Sequence, residues 1–283
     1  NDEDIPGDSA VAIEYKIPQT SKRVDFILSG QGADNSANVI IVELKQWSEA
    51  TITSKDGVVI TRRGGKGGES EGPHPSYQAW SYASLLQGFN EAVYDGGLSL
   101  KPCAYLHNYA SDNIIDNEFY APYIEKAPLF LKGDAERERL RNFIKQFVKY
   151  GDKSNLIYQI ENGRIRPSKM LVDSLAGMIK GNQEFVLIDD QKVVYESALA
   201  IAQTASESNK QVLIVKGGPG TGKSVLAINL LVALSKLGLV CKYVSKNAAP
   251  RAVYESKLTG LLKKTEISNI FSGSGAFTQS EEN

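Results

Sequence analysis

The segment Val212–Leu231, VLIVKGGPGTGKSVLAINLL, constrains the fold of this chain more than any other. Its apolar start, Gln211–Lys216, is predicted to be a strand, and Lys223–Leu237 is predicted to be an amphipathic helix. Between them the pattern G-x-x-x-x-G-K-[ST] is matched without exception, by Gly217, Gly218, Pro219, Gly220, Thr221, Gly222, Lys223 and Ser224. Glycines let the backbone N–H groups turn toward phosphate oxygens, and the helix N-terminus adds positive partial charge. The segment therefore predicts a P-loop (Walker A motif) that binds ATP, with Lys223 on the β- and γ-phosphates and Ser224 on Mg²⁺.

Elements around this loop favour a parallel sheet with crossover helices, as in P-loop NTPases. Helices are predicted over Gln191–Glu207 and Ala249–Leu262, with one further strand, Val240–Ser245. A P-loop NTPase also needs a Walker B carboxylate for Mg²⁺, usually at the end of a later apolar strand. No such run occurs between Val240 and Asn283. We therefore expect a fragment that ends inside its NTPase domain and does not hydrolyse ATP by itself.

The composition excludes few functions. The 283 residues include 32 basic and 33 acidic side chains, so bulk charge does not indicate a nucleic-acid binder, although a local basic groove remains open. Two distant cysteines, Cys103 and Cys241, have no metal-type spacing. An intracellular, cytoplasmic location without membrane association is the simplest expectation.

Charged residues cluster at the ends of predicted strands near the N-terminus. Asp25 lies in the strand Arg23–Ser29, and Glu43 and Lys45 lie two residues apart near the end of Asn38–Trp47. Residues two apart in a strand share a face. If the strands pair as a hairpin, Asp25 meets Glu43, and both carboxylates can bind Mg²⁺ or Mn²⁺ beside the Lys45 ammonium. A surface ion pair across one strand face is the alternative.

The spacing D…E-x-K resembles that of the PD-(D/E)XK nuclease superfamily. The order strand hairpin, third strand, helix, strand is also similar, and Gln78 and Tyr82 resemble the Q-x-x-x-Y pattern of the RecB-like branch. The resemblance implies that Asp25 and Glu43 bind metal, that Lys45 assists the attacking water, and that Gln78 and Tyr82 support the site. It also implies a further carboxylate at Glu14 and a cleft lined by His74, although Val24 replaces the proline of the motif.

Two features resemble superfamily 1 helicases. Gln191, in LIDDQ, resembles their adenine-reading glutamine, and YVSKNAAPR resembles a segment that contacts single-stranded nucleic acid, through Lys246, Asn247 and Arg251. From about Glu184 the chain resembles the Schlafen-like DNA/RNA helicase family. A surface glutamine and a polar strand end are the alternatives.

The sequence thus predicts an α/β protein: a restriction-endonuclease-like mixed-sheet domain over 1–150, a connector over 151–183, and an incomplete P-loop NTPase domain with a parallel sheet over 184–283. The expected function is a metal-dependent nuclease, acting on DNA or RNA, coupled to a helicase-like ATPase. One alternative is a helicase or translocase whose N-terminal domain binds nucleic acid without cutting it. Another is a regulatory NTPase that does not act on nucleic acid.

Overall fold

The computed structural model describes residues 3–18, 20–62, 68–165, 177–178, 185–259 and 263–277. The chain divides into two compact units. Unit 1 comprises Asn1–Pro167 with Ile188–Val193, and unit 2 comprises Ser168–Leu187 with Val194–Asn283. Much of the predicted connector, 151–183, lies outside the described residues.

Unit 1 is built on a five-stranded mixed sheet in the order β1-β2-β3-β7-β8. The first three strands pair antiparallel, and β3, β7 and β8 pair parallel. A smaller antiparallel sheet, β4-β5-β6, is inserted after β3. The strands are β1 (Ala10–Lys16), β2 (Arg23–Gln31), β3 (Ala37–Lys45), β4 (Thr51–Ile52), β5 (Val58–Arg62), β6 (Glu69–Pro73), β7 (Ser99–Leu106) and β8 (Leu129–Phe130).

Among the described residues of unit 1, five α-helices accompany these strands. They are α1 (Pro75–Phe89), α2 (Glu91–Tyr94), α3 (Ala121–Ile124), α4 (Asp134–Phe147) and α5 (Leu156–Asn162). Helix α1 lies between β3 and β7 in the chain, as parallel strands require a crossover. The α/β class and the mixed sheet predicted from the sequence are confirmed.

Strand β3 is the centre of the unit, because both of its faces are covered. Val39 and Ile41 pack in a core with Tyr82 of α1 and Leu156 of α5. Side chains alternate along a strand, so the other face carries Ile40 and Val42, which pack in a core with Cys103, Phe130 and residues of α4. The burial of four consecutive apolar residues explains why this strand reads as a continuous apolar run.

In the parts of unit 2 that the structure describes, a parallel pair of short strands is accompanied by four longer helices, one of which begins in unit 1. The parallel strands are β9 (Tyr243–Ser245) and β10 (Phe271–Gly273). The helices are α6 (Asp190–Thr204), whose first residues belong to unit 1, α7 (Lys223–Lys236), α8 (Ala248–Leu258) and α9 (Lys264–Ile270). Ile228 and Leu231 of α7 pack in one core with Tyr254 of α8 and Phe271 of β10.

Two secondary-structure predictions for unit 2 are wrong. Gln211–Lys216 is not a strand, and its side chains are exposed, with Val212 at 85% and Ile214 at 75%. A parallel strand takes its hydrogen bonds from neighbouring strands, and the only strand pair described in unit 2 is β9 with β10. The second error concerns the strands after the glycine-rich loop: the sequence predicts one, and the structure contains a second, β10. A strand of three residues is too short to produce a clear sequence pattern.

No helix in the described ranges has the length and apolar character needed to span a membrane.

Candidate functional site

The alternation of β3 brings the predicted charged residues to one face of the sheet of unit 1. Glu43 and Lys45 follow Val39 and Ile41 at two-residue steps, so they continue the face that packs against α1. In β2, Asp25 stands two residues before Ile27, which belongs to the same core. The apolar core thus ends in a group of charged side chains.

Asp25 sits where the pairing of its strand is interrupted on both sides. Among the described strand pairs, β1 with β2 passes from Ile13–Phe26 to Tyr15–Val24, so no bridge is present at Asp25. The pairing of β2 with β3 ends at Phe26–Val42. The Leu44 N–H instead donates to Asp25 Oδ2 at 2.8 Å. The side chain of Asp25 therefore takes the place of a backbone acceptor at the point where the strands separate.

Glu43 is a buried carboxylate with one satisfied oxygen. Its exposed fraction is 2%, and Lys45 Nζ donates to Oε1 at 2.6 Å. Within the part of the chain that the structure describes, Oε2 has no hydrogen-bond partner. Burial raises the pKa of Glu43 to about 7; Lys45 opposes this rise, and the negative charges of Asp25 and Asp189 add to it. An ionised, half-satisfied carboxylate in such a place is costly, which points to a ligand.

The predicted Q-x-x-x-Y pair of α1 is in contact. Gln78 Nε2 donates to the Tyr82 hydroxyl at 3.0 Å, and the hydroxyl lies 2.9 Å from both carboxylate oxygens of Asp189. Burial, followed by the charges of Asp189 and Glu43, raises the pKa of Tyr82. The pair therefore lies within electrostatic reach of Glu43.

Sequence reasoning missed Asp189 and Lys22 in this group. Lys22 Nζ lies 2.9 Å from Asp189 Oδ2. Burial alone would lower the pKa of Lys22, but its contacts with Asp189 and Asp190 raise it overall. The acidic pair in LIDDQ is visible in the sequence, but nothing in its spacing indicates a contact 107 residues away.

Glu14 and His74 have different surroundings from those expected. The carboxylate of Glu14 is exposed, 3.6 Å from Arg23 Nη1, and its backbone has φ 53°. His74 is buried and caps α1: Nδ1 accepts from the Ser76 N–H, so Nε2 carries the proton and donates to the Ile115 carbonyl at 2.8 Å. Burial lowers the pKa of His74 to about 4. His74 therefore has a structural place and does not line a cleft, while the proposed role of Glu14 stays a prediction.

The Asp25–Glu43 pair fits a divalent cation in one respect. Carboxylate oxygens are the ligands that Mg²⁺ and Mn²⁺ prefer, and Oε2 of Glu43 is free to serve as one. Across the described residues, no three His, Cys, Asp or Glu side chains come together as a metal site. A cation here would keep several waters or take phosphate oxygens, as Mg²⁺ commonly does.

The glycine-rich loop of unit 2 closes on its own lysine. Lys223 Nζ donates to the carbonyls of Gly217 at 2.7 Å and Gly218 at 2.6 Å. Gly220 and Gly222 have φ of 75° and 84°, which side-chain-bearing residues rarely adopt. Ser224 follows in the first turn of α7 and is exposed. An open cleft of about 460 Å³ is lined by residues from α7 and β9, including Lys223 and Ser224.

The helicase-type residues are spread over both units. Gln191 belongs to unit 1, where its Oε1 accepts from the Ile188 N–H at 3.1 Å. Lys246 and Asn247 are exposed after β9 in unit 2, and the side chain of Arg251 lies outside the description. Their predicted contacts with adenine and nucleic acid stay predictions.

Comparisons with known proteins give a match for one part of the chain. No curated protein and no solved structure matches the chain. Residues 210–283 match the family model described as Schlafen group 3, DNA/RNA helicase domain. The C-terminal part of the chain is therefore similar to a Schlafen helicase domain.

Proposed function

We propose that this protein processes nucleic acid, with a metal-dependent nuclease site of the PD-(D/E)XK type in unit 1 and an ATP-binding, helicase-like site in unit 2. The observation that carries the nuclease proposal is the buried, unpartnered Oε2 of Glu43. It lies in a group with Asp25, Lys45 and the Gln78–Tyr82 pair at the end of a buried strand. The match of residues 210–283 to a helicase domain supports a nucleic-acid substrate, DNA or RNA.

Each residue of the site has a defined part in this proposal. Asp25 and Glu43 would hold one Mg²⁺ or Mn²⁺, whose positive charge stabilises a phosphodiester transition state and acidifies water. The Lys45 ammonium donates a hydrogen bond to Glu43 in this structure. In the reaction, Lys45 would donate to the attacking water or to a phosphate oxygen instead. Gln78 and Tyr82 would hold the edge of the site.

ATP would bind at the loop Gly217–Ser224. Lys223 already donates to two carbonyl oxygens of the loop, and negatively charged phosphate oxygens would replace these neutral acceptors. Ser224 would contribute its hydroxyl to Mg²⁺. The match to a helicase family model supports a role for ATP turnover in moving nucleic acid.

The test is cleavage by the full chain. Single- and double-stranded DNA and RNA are incubated with the protein in Mg²⁺ or Mn²⁺, beside Lys45→Ala and a control with chelator. Cutting that requires metal and disappears in Lys45→Ala supports the nuclease. If the folded wild type cuts none of these substrates in either metal, the nuclease proposal fails for this chain.

Two observations favour the first alternative, in which the N-terminal domain binds nucleic acid without cutting it. Lys45 forms an ion pair with Glu43. In the described ranges, no group of three His, Cys, Asp or Glu side chains could hold a metal ion. This alternative predicts that Glu43→Ala binds nucleic acid as tightly as wild type. Salt-dependent binding distinguishes both from an NTPase that never touches nucleic acid.

A further inference from the structure

Asp189 is a buried acidic residue that reaches the site of unit 1 from a distant part of the chain. Its exposed fraction is 7%, and it belongs to the short segment Ile188–Val193 that completes unit 1. The same segment is anchored by Lys192, whose Nζ lies 2.8 Å from Asp56 Oδ2. The position of Asp189 is thus fixed within unit 1 by more than its own contacts.

The carboxylate of Asp189 decides the direction of a hydrogen-bond chain. A carboxylate only accepts, so the Tyr82 hydroxyl must donate to it. The oxygen of Tyr82 then accepts from the amide nitrogen of Gln78. This orientation leaves the carbonyl oxygen of Gln78, Oε1, as the acceptor end of the chain.

Asp189 also forms an ion pair with the Lys22 ammonium. Lys22 Nζ is 2.9 Å from Asp189 Oδ2 and 3.7 Å from Asp190 Oδ2. The two acidic neighbours differ, because the side chain of Asp190 is 77% exposed and that of Asp189 is buried. Only the buried carboxylate joins the lysine to Tyr82.

The backbone at Asp189 has φ 45°, in the left-handed region that most side chains avoid. Aspartate and asparagine tolerate this region best among residues with a Cβ atom. An Asp189→Asn variant therefore keeps the shape and the backbone preference, removes the charge, and replaces one of the two acceptor oxygens by an NH₂ donor. That makes it a clean probe.

We infer that Asp189 is a positioning residue of the nuclease site: it fixes the Tyr82 hydroxyl and presents Gln78 Oε1 as an acceptor for a water or for a donor group of the nucleic acid. The inference rests on the proposed nuclease function. A second observation points to a ligand in the same group, the unpartnered and buried Oε2 of Glu43. The charge of Asp189 is close enough to Glu43 to contribute to its raised pKa.

The experiment compares wild type, Asp189→Asn and the matched control Asp190→Asn in the full chain. Cleavage kinetics in Mn²⁺ and Mn²⁺ affinity by titration calorimetry are measured, with thermal unfolding to check the fold. Substituting a residue that supports the groups of a metal site typically lowers the metal affinity or the activity by about 10- to 100-fold. We expect Asp189→Asn to lower kcat or Mn²⁺ affinity by about tenfold or more with KM little changed, and Asp190→Asn to change each by less than about twofold.

The outcomes separate this inference from the nuclease proposal. If wild type cleaves and Asp189→Asn matches it in kcat and Mn²⁺ affinity, the inference is overturned and the nuclease stands. If wild type binds Mn²⁺ without cleaving and only Asp189→Asn weakens the binding, the nuclease proposal fails and Asp189 positions the groups of a metal-binding site that does not cut. If wild type neither cleaves nor binds Mn²⁺, both fail. Equal losses in both variants would reduce the effect to general acidity around Lys22 and overturn the specific role of Asp189.

Discussion

Replacing Glu43 by glutamine should make unit 1 more stable at alkaline pH. The pKa of Glu43 rises from its ordinary 4.5 to about 7 in the folded protein, so the folded state holds this proton more tightly than the unfolded chain. The contribution of Glu43 to stability is therefore present below pH 4.5 and is lost as the pH rises through about 7. Above that pH the ionised carboxylate destabilises the fold, and Glu43→Gln removes the effect.

The size of the effect follows from the same values. A pKa shift of one unit corresponds to about 1.36 kcal/mol, so the rise in the pKa of Glu43 changes the free energy of unfolding by about 3 kcal/mol. That figure is a ceiling, because Lys45 loses its charged partner in the variant and is only 17% exposed itself. We expect the free energy of unfolding of Glu43→Gln to exceed that of wild type by about 1–3 kcal/mol at pH 8.5 and to differ little from it at pH 5.

The assay is urea unfolding in the presence of chelator, followed by tryptophan fluorescence. Both tryptophans of the chain, Trp47 and Trp80, lie in unit 1, so the signal reports on that unit alone. Glu49→Gln, at an exposed position, is the control. Parallel pH curves for wild type and Glu43→Gln would refute the reasoning, since every other titrating group is common to both proteins.

Three further predictions concern other parts of the fold. Because the pKa of His74 falls from 6.5 to about 4 on folding, its neutral form stabilises unit 1 above pH 6.5, and about 3 kcal/mol is lost as the pH falls through 4; His74→Asn, which can still cap α1, should lose this pH dependence in urea titrations. Lys223→Ala should weaken binding of a fluorescent ATP analogue by roughly tenfold or more without altering circular dichroism, because a charge-assisted hydrogen bond is lost; unchanged affinity would count against the P-loop. Gly57→Ala should cost about 1–2 kcal/mol, because Gly57 has φ 63° and a Cβ would approach Tyr77 and Tyr123 to 3.1 Å; an unchanged urea midpoint would contradict this.

The central sheet of unit 1 was largely predictable from its sequence. The apolar run of β3 and the alternation along it indicate both the buried strand and the face on which Glu43 and Lys45 emerge. The spacing of Gln78 and Tyr82 indicates one face of α1, and the structure joins them by a hydrogen bond. These are local patterns, because strand and helix periodicity act over a few residues.

Other parts of the site depend on contacts that a local pattern cannot carry. Asp189 meets Tyr82 across 107 residues of sequence, and His74 becomes a helix cap because Ile115 supplies an acceptor. The strand predicted over Gln211–Lys216 failed for a related reason. An apolar run becomes a parallel strand only where neighbouring strands supply hydrogen bonds, and the strands described in unit 2 do not pair with it.

The state of Glu43 also helps to choose between a metal site and a structural ion pair. A carboxylate kept for stability would be expected to have both oxygens satisfied, and its cationic partner would hold its pKa low. Glu43 has the opposite properties: Oε2 is unpartnered, and burial with two like charges nearby raises the pKa despite Lys45. Such an arrangement weakens the fold wherever the carboxylate is ionised, and a bound cation would remove the penalty by neutralising the charge. The pH dependence of stability, measured with and without Mn²⁺, therefore bears directly on function: suppression of the alkaline loss by Mn²⁺ in wild type, but not in Glu43→Gln, is the result that a metal site requires.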